Sequence, residues 1–167
     1  PVIGLLRGLT DPVVGLSMGQ TAEILSHRFN ISRQTMDAFA LESHRKLAAA
    51  QDLNHLDEIE VLYDSRGQCH SVDDGLRRDT DMEQLARLKP VFDRPFGKVT
   101  AGNSAGLNDG ATACILASEE AATELGLPVK MRLVSYAFVG VEPEFMGFGP
   151  VPAAEKALAK ADLSIED

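Results

Sequence analysis

Apolar residues recur at intervals of three and four positions in two neighbouring stretches near the start of the chain. Ser17 and Gln20 form a capping-box pattern, which predicts that a first helix begins after Ser17 and runs to about Phe29. Asn30 is expected to end this helix, and Ser32 can cap the next one. One face of the second helix is expected to consist of Met36, Phe39, Ala40, Ser43, Leu47 and Ala50. The pattern therefore predicts two helices joined by a tight connection.

The hydrophobic pattern changes in the last third of the chain. Residues 111–117 show no polar alternation, which predicts a buried strand, and residues 130–139 alternate in part, which predicts a second strand. Ser118 is expected to cap a helix between them that ends at Gly126. Residues 150–161 have Pro at the start and an Ala-rich body, which predicts a further helix. The order strand, helix, strand, helix predicts an α/β fold class.

The middle of the chain is more polar. Residues 59–63 are β-branched and aromatic, which predicts a short strand, and residues 65–79 are expected to form a long polar excursion. Thr80 and Glu83 make a second capping-box pattern, so a short helix is expected to begin there and to end at Pro90. The first part of the chain is therefore predicted to be mainly helical and irregular.

Composition and charge narrow the function classes. Of 167 residues, 44% are hydrophobic and 25% are charged, which is ordinary for a globular protein. The net charge is −9 and no Lys/Arg block stands out, which argues against nucleic acid as a partner. No apolar run approaches the roughly 20 residues of a membrane span, and the start lacks the pattern of a signal peptide. With only two cysteines, the chain is expected to be cytoplasmic.

The histidines and cysteines do not predict a metal site or a disulfide framework. The four histidines lack the spacing of zinc ligands, and the two cysteines do not form a knuckle. Cys69 and His70 are adjacent, which suits either a nucleophile with its base or an ordinary surface pair, and we expect the surface pair. Cys114 lies inside an apolar run and is expected to be a small core residue.

A glycine-rich stretch at residues 97–111 carries the most specific signal. Its sequence is G-K-V-T-A-G-N-S-A-G-L-N-D-G-A, and glycine at this density lets the backbone approach a ligand or another chain closely. It resembles the end of the N-terminal half of thiolases, enzymes that exchange acyl groups between carbon and coenzyme A. Three further segments resemble the same family: M-G-Q-T-A-E at 18–23, L-K-P-V-F-D at 88–93 and M-G-F-G-P-V-P-A at 146–153.

The resemblance implies a partial thiolase-like α/β fold in three parts. Residues 1–100 would be the substrate-binding loop domain, 101–126 the end of the N-terminal domain and 127–167 the start of the C-terminal domain. A change in composition near Thr100 predicts the same first boundary. In the family the nucleophilic cysteine precedes this region, and the general-base histidine and a second cysteine follow it. The chain is therefore expected to be a middle fragment with no catalytic residue and no activity by itself.

The resemblance also implies which residues bind the acyl end of the substrate. Met18, Phe92 and Met146 match residues that surround the reacting end of acyl-CoA in the family, although large apolar residues of this kind also suit a core. Gln84 and Leu88 would face the cleft that binds coenzyme A if their short helix matches the family.

A second group of residues is implied to bind coenzyme A itself. Ser104, Ala105 and Gly106 correspond to a turn along the pantetheine arm, with a serine in the family where Ala105 stands here. The alternative is a turn that serves only tight packing. Arg77 and Arg78 form a cationic spot in an acidic loop, and Arg78 suits the phosphates of coenzyme A, although a solvated surface pair is the equal alternative.

Two functions remain open. The first is part of an acetyl-CoA C-acyltransferase of fatty-acid metabolism, with acyl-CoA and coenzyme A as substrates, no resident cofactor and a homo-oligomeric intact protein. The second is a non-catalytic acyl-CoA-binding or assembly module. An upstream cysteine segment and a downstream N-E-A-F segment in the same reading frame would favour the first.

Overall fold

The computed structural model describes residues 4, 7–73, 75–108 and 110–167, so Asp109 of the glycine-rich stretch lies outside the described residues. The chain divides into two compact units, Pro1–Gly106 and Leu107–Asp167.

Two helices dominate the first unit, α1 at Met18–Arg28 and α2 at Arg33–Asp52. The predicted capping box of α1 is confirmed, because Ser17 accepts from the backbone N–H of Gln20 while the Gln20 side chain accepts from that of Ser17. Asn30 follows α1 in a left-handed conformation with φ of 52°, as a residue that ends a helix does. Ser32 caps α2 as predicted.

The predicted apolar face of α2 is only partly correct. Phe39 is 80% exposed, whereas Asp37 and Leu41 are buried. The buried face of α2 therefore includes the carboxylate of Asp37. A search for regularly spaced apolar residues cannot detect a charged residue on a buried face. Leu41, Leu85 and Val99 form the apolar core of this unit beside buried polar groups.

A short hairpin follows α2. Strand β1, Leu62–Tyr63, pairs with β2, Cys69–His70, in antiparallel register, so the predicted strand at 59–63 is shorter than expected. The polar excursion at 65–79 contains β2. Cys69 is exposed, in agreement with the predicted surface pair.

Helix α3 spans Met82–Ala86, and its cap differs from the prediction. Asp81 caps it, not Thr80, because the Asp81 carboxylate accepts from the backbone N–H of Gln84 at 2.8 Å. Asp81 and Gln84 have the same spacing as Thr80 and Glu83, so the sequence offers two registers one residue apart. The helix also ends at Ala86 rather than running to Pro90. Helices α2 and α3 pack against each other.

The second unit contains α4 at Glu119–Glu124, a 3₁₀ helix at Pro143–Phe148 and α5 at Pro150–Ala161. Ser118 caps α4 and Gly126 follows it with φ of 62°, as predicted. The bounds predicted for α5 are also confirmed.

The two predicted strands of the second unit are not formed within the described residues. Neither 111–117 nor 130–139 pairs with another described segment, and Ile115 is 85% exposed. A strand exists only when a neighbouring backbone accepts and donates its hydrogen bonds, so an apolar sequence alone does not produce one. Cys114 is consequently exposed, and its predicted core position is wrong here.

Candidate functional site

Phe92 lies against the first turn of α1. A Cβ atom on Gly19 would overlap the ring of Phe92, so the ring rests directly on the backbone of the residue after Met18. Met18 and Phe92 are both partly exposed at this surface. The structure therefore brings Phe92 to Gly19, the residue after Met18. This close approach is possible because Gly19 has no side chain.

Leu88 lies against the glycine-rich loop. A Cβ atom on Gly102 would be 2.5 Å from Leu88 Cδ1 and 2.6 Å from Leu85 Cδ2. Leu85 is buried, whereas Leu88 is partly exposed. The segment after α3 and the loop just before Ser104 are therefore in close contact, and glycine is what permits the approach.

The turn formed by Ser104, Ala105 and Gly106 is exposed, and Asn103 fixes the point from which it starts. The Asn103 side chain accepts from Thr100 N at 2.8 Å and donates to Lys98 O at 2.9 Å. Asn103 thus closes the preceding loop on itself.

Glu23 anchors the same loop from α1. Its buried carboxylate accepts from the backbone N–H groups of Lys98 at 2.9 Å and Val99 at 2.7 Å. Lys98 Nζ in turn donates to Ser26 O at 3.1 Å and Ile31 O at 2.8 Å. A cation suits this position because the last carbonyl groups of a helix are partly negative.

Asp37 joins the loop to the segment that carries Leu88. Its buried carboxylate accepts from Arg33 Nε at 2.7 Å and from Asn103 Nδ2 at 2.9 Å. Arg33 Nη2 also donates to Leu85 O and, at 3.2 Å, to Leu88 O. One carboxylate on α2 therefore connects the end of α3 with the glycine-rich loop.

Sequence reasoning missed Glu23, Arg33, Asp37 and Asn103. A partial signal was present, because Arg33 and Asp37 are four residues apart on one helix and can form an ion pair there. Nothing in the local pattern links Glu23 to Lys98 and Val99, which lie 75 and 76 positions further along the chain. Such a contact becomes visible only in the folded chain.

Arg78 is engaged with the end of α2. Its Nη1 lies 3.0 Å from an Asp52 carboxylate oxygen, and its Nη2 donates to Gln51 Oε1 at 2.9 Å. Both members of the ion pair are exposed. The backbone N–H of the adjacent Arg77 donates to His44 Nδ1 at 3.3 Å, which also ties this segment to α2.

Gln84 holds the start of α3. Its Nε2 donates to Asp79 O and Asp81 Oδ2, each at 2.9 Å. The bonds from the backbone N–H and side chain of Gln84 lower the pKa of Asp81 from its ordinary value of 3.8. The side-chain nitrogen of Gln84 thus bonds within its own segment, while the residue remains exposed.

Met146 belongs to the second unit, in the 3₁₀ helix, where it is partly exposed and its carbonyl accepts from Gly149 N at 3.1 Å. Within the first unit, the structure brings Phe92 to Gly19, the residue after Met18, and Leu88 to the loop that leads to Ser104.

No group of three or more His, Cys, Asp or Glu suited to hold a metal ion occurs in the described part of the chain. None of the helices in the described ranges has both the length and the apolar character to cross a bilayer.

Comparison with known proteins agrees with the sequence motifs. A family model described as thiolase, N-terminal domain, matches residues 3–120. The 3-ketoacyl-CoA thiolase of Aliivibrio fischeri is 45% identical to the chain over 96% of the chain and 43% of its own length.

Two solved structures have the same fold. The acetyl-CoA acetyltransferase of Bacillus anthracis matches with a TM-score of 0.91 and 41% identity, over 98% of this chain and 42% of that one. Human mitochondrial 3-ketoacyl-CoA thiolase, solved in complex with CoA, matches with a TM-score of 0.90 and 42% identity, over 97% of this chain and 41% of that one.

The chain therefore spans less than half the length of each of these three proteins. Its fold is the α/β thiolase fold over the matched region. On the family match and the identities together, the chain belongs to the thiolase family of acyltransferases.

Proposed function

We propose that this chain forms the coenzyme A and acyl-binding walls of a thiolase that exchanges acyl groups between a 3-ketoacyl-CoA and coenzyme A. The observation that carries the proposal is the contact of two motif residues with glycine backbone, Phe92 on Gly19 and Leu88 on Gly102, in a chain of this family. In this proposal residues 1–100 are the loop domain, 101–126 end the N-terminal domain and 127–167 begin the C-terminal domain.

The chemistry of the surface suits the proposed ligand. The pantetheine arm of coenzyme A is mostly apolar with two amide groups, so it needs apolar side chains and accessible backbone rather than charges. Leu88, Phe92 and Met18 offer partly exposed apolar groups, and Ser104, Ala105 and Gly106 offer exposed backbone. We place the arm along this turn and the acyl end toward Met18 and Phe92.

Arg78 is proposed to meet the phosphate groups. Its pairing with Asp52 is exposed, and exposed ion pairs contribute only about 0–1 kcal/mol to stability. Charge-assisted bonds from a guanidinium to phosphate are stronger, and the planar group can bind two phosphate oxygens at once. A phosphate can therefore displace Asp52 at small cost. Gln84 is proposed to support this segment through its bond to Asp79 O.

The covalent steps are assigned to residues outside this chain. Thiolysis requires a cysteine thiolate that accepts the acyl group and a base that activates the incoming thiol. Cys69 is exposed, and the Nε2 atom of the adjacent His70 is 3.9 Å from Asp64 Oδ2. We do not propose Cys69 or Cys114 as nucleophiles. Coenzyme A is a substrate in this reaction, and we propose no resident cofactor.

The segments 111–117 and 130–139 are proposed to become strands where further strands of a thiolase fold lie beside them. We also propose that the intact protein is a homo-oligomer and that its location is cytoplasmic.

The test compares Phe92→Ala with Phe96→Ala in the full-length gene product. Phe92 is 43% exposed and rests on Gly19, whereas Phe96 is 82% exposed and lies four residues further along the chain. Phe92→Ala should lower kcat/KM for thiolysis of acetoacetyl-CoA by about ten-fold or more, because it removes packing at the reacting end. Phe96→Ala should change it less than about two-fold.

Equal effects of the two substitutions would contradict the placement of the site. A wild-type gene product that binds coenzyme A without thiolysis would instead support the non-catalytic binding module. The 167-residue chain by itself is expected to show no thiolysis.

A further inference from the structure

We propose that Asp37 is a positioning residue for the coenzyme A site, one that sets the distance between the segment carrying Leu88 and the turn Ser104–Ala105–Gly106. This inference rests on the proposed function, because it names how that same site is held. Asp37 contacts neither ligand nor reacting atoms in the proposal; it acts through Arg33 and Asn103.

The geometry makes Asp37 a bridge between two elements. One carboxylate oxygen accepts from Arg33 Nε, and the other accepts from Asn103 Nδ2. Arg33 reaches on to the carbonyl groups of Leu85 and Leu88. Asn103 is bonded within its own loop, directly before Ser104. The two walls proposed for the pantetheine arm therefore share one anchor on α2.

Only a carboxylate satisfies both sides of the bridge. Arg33 and Asn103 are both donors, so the residue between them must offer two acceptor oxygens. An amide at position 37 offers one acceptor and one NH₂ group, and this NH₂ group would face a donor. Asp37 is also 2% exposed, so water does not replace the missing acceptor there.

Arg33, which binds Asp37 from the side of α3, is equally hard to replace. Arg33 binds Asp37 with Nε and the two carbonyl groups with Nη2, which uses separate donors of one planar group. Lysine has a single ammonium group and cannot span these acceptors in the same way. Arg33→Lys should therefore keep the charge near Asp37 while it releases the end of α3.

Three variants of the full-length gene product test the bridge by hydrogen–deuterium exchange and by kinetics. Asp37→Asn should increase exchange in both 82–88 and 98–106, and Arg33→Lys should increase it mainly in 82–88. The matched control is Ser26→Ala, since Ser26 is as buried as Asp37, its hydroxyl donates to Glu23 O on the same helix, and the main-chain carbonyl that accepts from Lys98 is kept in alanine. Ser26→Ala should leave exchange in both segments unchanged.

The kinetic readout separates positioning from general stability. Asp37→Asn should raise KM for coenzyme A about ten-fold and change kcat by less than about two-fold, because ground-state and transition-state binding are weakened alike. Ser26→Ala should leave both parameters unaltered. If Asp37→Asn does not fold, Arg33→Lys decides, with a smaller rise of KM expected.

Unchanged exchange in one of the two segments of Asp37→Asn would overturn the bridge. Increased exchange with KM no different from that of Ser26→Ala would overturn its role for coenzyme A. A folded wild-type protein that neither binds nor uses coenzyme A would overturn the proposed function and the ligand part of this inference, whereas the exchange data would still decide whether Asp37 couples the two segments.

Discussion

At the scale of single residues, two kinds of position shape the candidate site. Glycines at 19 and 102 leave room for Phe92 and Leu88, and these were located within motifs visible in the sequence. Buried carboxylates at 23 and 37 hold the loop, and they were not foreseen. A motif reveals which residues occur together, whereas a hydrogen bond across 66 positions depends on the path of the whole chain.

Gly19→Ala should move Phe92 without unfolding the protein. The added methyl group would overlap the Phe92 ring, which is partly exposed and can swing outward. Alanine also favours a helix over glycine, by at most about 1 kcal/mol at this position in the first turn, which partly offsets the cost of the clash, so the free energy of unfolding should change by less than about 1 kcal/mol.

The measurement for Gly19→Ala is a urea titration together with kcat/KM for acetoacetyl-CoA, which should fall. Gly140→Ala serves as the control, since a Cβ atom there meets nothing within 4 Å. A fall in kcat/KM for both variants, or for neither, would contradict the proposed role of the Phe92 position.

At the scale of elements, helices were predicted well and strands poorly. The caps at Ser17, Ser32 and Ser118 were predicted, because a cap needs only a side chain and the next backbone N–H groups. The strands at 111–117 and 130–139 need partners that the sequence pattern cannot supply. The shift of the α3 cap from Thr80 to Asp81 agrees with the stronger N-cap preference of Asp over Thr.

Asp81→Ala should destabilise α3, whereas Thr80→Ala should have a much smaller effect. Asp81 accepts from Gln84 N, and a carboxylate at the start of a helix also interacts favourably with the partly positive N-terminus. Because the pKa of Asp81 is lowered below 3.8, its stabilising effect is present above pH 3.8 and is lost as the pH falls through the folded-state pKa.

The corresponding measurement is thermal unfolding of wild type, Asp81→Ala and Thr80→Ala between neutral and acidic pH. The difference between wild type and Asp81→Ala should shrink at the acid end. If Thr80→Ala had the larger effect, Thr80 would be the cap.

At the scale of the whole molecule, family and fold were readable from four short motifs, and the comparisons confirm them. In the second unit the sequence pattern predicted two strands, whereas the apolar segments at these positions are exposed. Large exposed apolar areas favour association between chains.

The 167-residue chain by itself should therefore self-associate through residues 111–117, and Ile115→Lys should reduce this. Ile115 is 85% exposed within an apolar run, and a lysine there adds charge to the surface. Ile165→Lys is the control, since Ile165 is 79% exposed but lies outside the run. Light scattering at increasing concentration should show a lower apparent mass for Ile115→Lys only; a monomeric wild-type chain would contradict the prediction.

The anchoring of the glycine-rich loop also bears on how thiolase sequences can be recombined. The loop contains Asn103, but the two carboxylates that it bonds to, Glu23 and Asp37, belong to a distant part of the sequence. The loop therefore cannot be transferred by itself together with its anchoring bonds. A chimera that takes 97–106 from a relative would need both carboxylates in register, so the helices and the loop must be inherited together.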